Sequence, residues 1–122
     1  MILNHINLSV TDVQAAKSFL ETYFGLRDMG SRNKNMAFLR DDGGMILSMF
    51  KGKDVKYPGT FHIGFIQPSE AKVDEINARM RADGIDVAPP QRSHAWTFYV
   101  QAPGGFYSIS TSTKRIRCWL TR

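Results

Sequence analysis

The chain has 122 residues, 43% of them hydrophobic, 22% charged and 11% aromatic, which gives enough apolar surface for one folded domain and too much for a disordered segment. Its formal charge of +5 is unevenly placed: Lys114, Arg115, Arg117 and Arg122 stand in the last nine residues with no acid among them, leaving +1 over residues 1–113 and no basic stripe for a nucleic-acid backbone. No apolar run reaches the roughly 18 residues of a membrane span, the start has no secretory leader pattern, and the single Cys118 excludes an internal disulfide and a thiolate zinc cluster; the expectation is a cytoplasmic protein with no membrane or nucleic-acid partner.

Ile2, Ile6, Leu8 and Val10 alternate with His5, Asn7 and Ser9, the period of two that marks a strand with one apolar and one polar face. Thr11 is expected to cap the following helix, with Gln14 completing a capping box. Ala16, Phe19, Leu20, Tyr23 and Phe24 supply its apolar stripe, and Gly25 ends it. Residues 27–32, 35–41 and 44–51 read as three short strands, joined by turns at Asn33-Lys34-Asn35 and Asp41-Asp42-Gly43-Gly44.

The same order then recurs. A strand over 60–66 meets Ser69, the expected cap of a helix whose buried stripe is Val73, Ile76 and Met80 and whose end is Gly84. Strands are expected near 85–88, 95–101 and 105–111, with a loop from Pro89-Pro90 to His94. Matching landmarks lie 57 to 61 positions apart: His5 with His62, Gly25 with Gly84, Phe38 with Phe98, Gly44 with Gly105. A duplicated unit sets the architecture. The fold class is therefore α+β, two tandem βαβββ units forming curled mixed sheets around a concave pocket. One domain covers 1–113, with repeats at about 1–56 and 57–111, and a basic tail covers 114–122.

Two such units, each with a histidine on its first strand, resemble the vicinal oxygen chelate superfamily, which includes glyoxalase I, bleomycin-resistance proteins, fosfomycin-resistance enzymes and ring-cleaving dioxygenases. The carriers are His5-Ile6-Asn7-Leu8-Ser9-Val10-Thr11-Asp12, Phe24-Gly25-Leu26, His62-Ile63-Gly64-Phe65 and the Ala102-Pro103-Gly104-Gly105 turn, spread over about residues 2–111. The resemblance implies a cup built from two half-sheets, a small ligand on its concave face, and a homodimer.

It also implies where a metal would sit. Enzymes of that superfamily hold one divalent ion with a histidine from the first strand of each unit and a carboxylate from a last strand, and His5 and His62 match the histidine positions. A divalent cation wants three or four nitrogen or oxygen donors. The carboxylate positions, four residues after the second glycine of each closing turn, fall on Ser48 and Ile109, a neutral donor and no donor; a slip of one residue would bring Ser108 or Ser110 inward, still uncharged. The sequence thus predicts no metal and no cofactor, the alternative being one divalent ion held weakly by His5 and His62.

For a cup without a metal, the expected ligand-binding residues are His5, Ser48 and His62, with Trp96, Phe98 and Ile109 as a flat apolar wall. Arg92 is a candidate partner for an anion and Tyr107 a candidate proton donor. No catalytic residue is assigned. The chain has no nucleophile elbow, phosphate-binding glycine loop, dinucleotide fingerprint or Cys-x-x-Cys. Two readings result. One is a metal-independent protein that sequesters or carries a small organic ligand, as bleomycin-resistance proteins do; the other is a glyoxalase- or dioxygenase-like metalloenzyme.

Overall fold

Alternation and capping place ten elements along the chain: β1 (His5–Val10), α1 (Val13–Phe24), β2 (Arg27–Asp28), β3 (Met36–Arg40), β4 (Ile46–Lys51), β5 (His62–Ile66), α2 (Glu70–Ala82), β6 (Gln91–Arg92), β7 (Trp96–Gln101) and β8 (Ser108–Ser112). The structure is a computed structural model, and it describes residues 1–105 and 107–113. The basic segment expected at 114–122, with Cys118, Trp119 and Leu120, lies outside the described residues. Two compact units result, one of Met1–Phe61 with Gln101–Tyr107, the other of His62–Val100 with residues 108–113.

In the first unit the sheet order is β1-β4-β3-β2, with β1 parallel to β4 and the other pairs antiparallel. Leu8 and Val10 share a face with Leu47, Met49, Ala37 and Leu39, all buried, and α1 covers that face with Val13, Ala16, Phe19, Leu20 and Tyr23. Burying these aliphatic and aromatic side chains at about 1.5–3 kcal/mol each is what holds the unit together. The cap of α1 is Asp12, not Thr11: the Asp12 carboxylate accepts from the Ala15 N–H at 3.0 Å, while both the N–H and the hydroxyl of Thr11 donate to the Gly104 carbonyl. Thr11 is thus committed to holding the 101–107 segment. Gln14 correspondingly forms no capping box and donates to the Lys34 carbonyl at 2.9 Å. Gly25, at φ 65°, closes the helix as expected.

In the second unit the order is β5-β8-β7-β6, with β5 parallel to β8. Ser69 caps α2 as expected, accepting from the Lys72 N–H at 3.1 Å, and Val73, Ile76 and Met80 are its buried stripe. No strand forms over 85–88. The short β6 comes after Pro89-Pro90, because proline cannot donate to a ladder and the chain joins β7 only at Gln91 and Arg92. Asn77, buried on α2, fastens the intervening loop by donating to the Ala88 carbonyl at 2.8 Å.

Candidate functional site

Each sheet has one face under its helix and one face turned away from it, and the two away-facing surfaces carry the candidate chemistry. In the first unit His5, Asn7 and Ser9 of β1 project on the face opposite Leu8 and Val10. Strand register extends that face through Ser48 and Phe50 of β4 to Phe38 and Met36 of β3. His5 is exposed, with Nδ1 2.7 Å from Asn4 Oδ1. A proton on Nδ1 satisfies that bond and leaves Nε2 with its lone pair for a ligand. Ser48 is only 5% exposed and donates to Asn7 Oδ1 at 2.8 Å, so a neutral amide–hydroxyl pair occupies the position where the superfamily pattern has a carboxylate. Phe38 and Phe50 meet edge to face at 6.0 Å.

The second unit repeats the pattern with different contents. His62 pairs in register with Ser108, Gly64 with Ser110, and Ile66 with Ser112. The His62 ring lies 5.8 Å from that of Tyr99 at a steep angle, which places Tyr99 on the same face; Tyr99 is half exposed. Gly64 makes room there for Ser110, since a Cβ at that position would lie 2.9 Å from Ser110 Oγ.

The expected apolar wall belongs to the other side. Trp96 donates from Nε1 to Asp74 of α2 at 2.7 Å, which puts its side chain, and by alternation Phe98 and Val100, on the face that α2 covers. Phe98 is 3% exposed and Ile109 fully buried. The one-residue slip in β8 is the reason for Ile109: β4 starts two residues after Gly44, whereas β8 starts three after Gly105, so Ser110 rather than Ile109 is the counterpart of Ser48. Sequence reasoning missed Tyr99 as a face residue and offered Ser110 only through a one-residue slip, which is the register observed. The signal was present in β7, where Trp96, Phe98 and Val100 form the more apolar set and Thr97, Tyr99 and Gln101 the more polar one.

Two other candidates have structural occupations. Arg92 pairs with Glu70 at 2.7 Å and lies 5.1 Å over the Trp96 ring, tying β6 to the start of α2. Tyr107 is fully buried, and burial pushes its hydroxyl well above the ordinary tyrosine pKa, which is the opposite of what a proton donor near neutrality needs.

Neither β1, β3 and β4 nor β5, β7 and β8 contains an aspartate or glutamate, and among the described residues no group of three or more His, Cys, Asp or Glu side chains is placed to hold a metal. Two imidazoles and uncharged hydroxyls do not fit the nitrogen-and-carboxylate shell that the resemblance implies.

Comparison with known proteins agrees with the fold. The chain is similar to a possible glyoxalase from Bacillus cereus, with 52% identity, a TM-score of 0.87, and coverage of 92% of this chain and 98% of that one. Two more distant structures share the fold. They are lactoylglutathione lyase from Agrobacterium tumefaciens, at 22% identity, TM-score 0.73 and 92% of each chain, and the fosfomycin resistance protein FosX from Listeria monocytogenes, at 24% identity, TM-score 0.79, 95% of this chain and 97% of that one. No curated protein sequence matches the chain. A model of the Glyoxalase/Bleomycin resistance protein/Dioxygenase superfamily matches residues 2–108, nearly the whole described chain, and the chain belongs to that superfamily.

Proposed function

We propose that this protein is a small-molecule-binding member of the superfamily that works without a metal, sequestering or carrying an organic ligand on the away-facing surfaces of its sheets. One observation carries the reading: each surface presents a histidine at the first position of its leading strand beside neutral hydroxyl, amide and aromatic groups, and no aspartate or glutamate stands on β1, β3, β4, β5, β7 or β8. Such a surface suits hydrogen bonding and stacking to an uncharged or weakly polar ligand body. His5 with Asn7 and Ser48, and His62 with Tyr99 and Ser110, are the proposed contacts. The bleomycin-resistance proteins are the nearest functional analogy. A homodimer is part of the same reading, because β1 and β5 each stand at the edge of a sheet and an edge strand is a template for further pairing. The single cysteine fits a cytoplasmic location. No helix among the described residues is long and apolar enough to cross a membrane.

Two measurements test the proposal. Metal analysis of protein purified without chelator is expected to find no stoichiometric transition ion. Amide NMR spectra recorded against a panel of small aromatic and carbonyl compounds are expected to shift signals at residues 5–7 and 48, or 62–64, 99 and 110. One tightly held ion per chain, lost in His5→Ala with His62→Ala, would overturn the metal-free reading in favour of a metalloenzyme, which the matched strand positions of the two histidines would then explain. A panel that moves no amide on either face would overturn the binding role itself.

A further inference from the structure

The loop between β2 and β3 and the end of β4 enclose an open hollow of about 430 Å3 in the first unit, with Met36 and Phe50 as its apolar floor and Asn35, Lys51, Gly52 and Lys53 around it. Met36 and Phe50 are register partners on the same away-facing surface as Phe38 and Ser48, so the hollow continues that surface toward one end of the sheet. Phe50 is 40% exposed even with Phe38 edge-on beside it, an unusual setting for a phenyl ring.

The rim has the opposite character. Among the described residues neither the Lys51 nor the Lys53 ammonium group has a carboxylate within ion-pair distance, and the four ion pairs use other cations. The backbone around them is pinned: the Lys51 N–H donates to the Asn35 carbonyl at 2.9 Å, the Gly52 N–H to the Val10 carbonyl at 2.8 Å, and the Asn35 N–H to Asn33 Oδ1 at 2.9 Å. The Asn35 side-chain amide has no hydrogen-bond partner among the described residues. An exposed aromatic floor beside two uncompensated cations and a spare amide donor is complementary to one chemical class, an organic anion with an apolar body.

We propose that this hollow is a carboxylate-recognition subsite, in which a small aryl or alkyl carboxylate lays its apolar body over Phe50 and Met36 and sets its anionic group among Lys51, Lys53 and the Asn35 amide. The inference rests on reading the first unit's away-facing surface as a ligand surface, and it adds the charge and shape of the ligand. Two solvent-exposed cations at the rim contribute about tenfold together in affinity, by an amount that salt reduces.

The test uses the full chain and two probes of equal shape, phenylacetate and the uncharged phenylacetamide, titrated while amide NMR signals are followed. Phenylacetate is expected to shift signals at residues 33–36 and 50–53, to bind about tenfold more tightly than phenylacetamide, and to weaken as salt rises. Lys51→Gln with Lys53→Gln is expected to erase the difference between the probes, and Phe50→Ala to weaken both. Equal affinities for the two probes in the unaltered protein, no detectable phenylacetate binding, or phenylacetate shifts confined elsewhere would each overturn the proposal. If these fail while the neutral compounds still move residues 5–7 and 48, the anion subsite falls and the ligand surface stands. If neither set moves an amide there, both fall.

Discussion

Gly64 and Ser110 are register partners across β5 and β8, the pair that corresponds to Asn7 and Ser48 across β1 and β4. In the first unit an amide–hydroxyl bond fills this position; in the second the Ser110 side chain lies against the glycine, and a Cβ on Gly64 would reach to 2.9 Å from Ser110 Oγ. Ser110 Oγ is the end of a short rotatable side chain, so Gly64→Ala is expected to change stability by less than about 1 kcal/mol, the strand gain over glycine offsetting the rotation. The same substitution is expected to suppress shifts at 62–64 and 110 in the NMR panel. Thermal unfolding and the panel, run on one preparation, separate the two effects; an unfolded variant would show that the glycine is required for packing against Ser110 instead.

Gly104 is needed for a different reason. It sits at φ 80°, and a Cβ there would collide with the Asp12 carbonyl oxygen while its own carbonyl receives the Thr11 N–H and hydroxyl. Positive φ and backbone collision act together, and neither can relax by a side-chain rotation. Gly104→Ala is expected to destabilise by about 1–3 kcal/mol in urea unfolding. Thr11→Val, which removes only the hydroxyl bond, is expected to cost about 1 kcal/mol. Equal, negligible losses in both would show that the 101–107 segment is not fastened through this contact.

Phe98 and Ile109 can be tested as core residues. Ile109 is fully buried with Ile63 as its register partner on the α2 side, and Phe98 is 3% exposed. Ile109→Ala is expected to cost about 2–5 kcal/mol and Phe98→Ala about 3–5 kcal/mol in chemical denaturation. In whatever folded fraction remains, shifts at 62–64, 99 and 110 on the opposite face should persist. A stable Ile109→Ala protein that loses them would return the residue to the ligand wall.

Much of this was legible from the sequence, and the failures have particular causes. The duplicated order, the stripes of both helices and the Ser69 cap follow from local periodicity and capping chemistry, and each is present, except that Phe24 at the end of the α1 stripe is only half-buried. The two histidine positions follow from the same alternation. What local pattern cannot supply is register: turn length decides which residue of β8 stands beside His62, and one additional residue after Gly105 moved Ile109 to the covered side. The Thr11 cap was displaced by a contact with Gly104, 93 positions away in sequence, and no local rule contains that. The hollow between residues 33–36 and 50–53 is likewise a product of β3–β4 pairing.

Lys17 of α1 and Asp28 of β2 form an ion pair at 2.7 Å, and the Gly30 N–H also donates to the Asp28 carboxylate at 2.9 Å. The hydrogen bond from Lys17 holds the Asp28 carboxyl below its ordinary range and raises Lys17 above its own. The signs give two windows. The Asp28 contribution is present above the ordinary aspartate pKa of 3.8 and is lost as pH falls through the lower folded value; the Lys17 contribution is present below 10.5 and is lost as pH rises through the higher folded value. Asp28→Asn is therefore expected to flatten part of the acid limb of a stability–pH curve below about pH 4 while leaving its slope between pH 6 and 8 unchanged. An unchanged acid limb would show that solvent screens the pair completely.

Tyr107 provides the opposite limb. Its side chain is fully buried, 6.0 Å from the Tyr57 ring, and its hydroxyl has no hydrogen-bond partner among the described residues. Desolvation raises its pKa, with Tyr57 adding to the shift, so above about pH 10 the unfolded chain releases this proton and the folded chain keeps it. Stability should then fall as pH rises, by up to about 1.4 kcal/mol per pH unit from this one group. Tyr57, raised by burial but donating to the Ser9 carbonyl at 2.7 Å, acts in the same direction and remains in the variant as an internal reference. Tyr107→Phe removes a buried polar group that gains nothing in the fold, and is expected to be neutral or stabilising by about 1–3 kcal/mol at pH 7 and to weaken the alkaline loss. A destabilised Tyr107→Phe with an unaltered alkaline limb would mean that the hydroxyl has a bonding partner after all, and that its burial is a made interaction rather than a consequence of packing the ring.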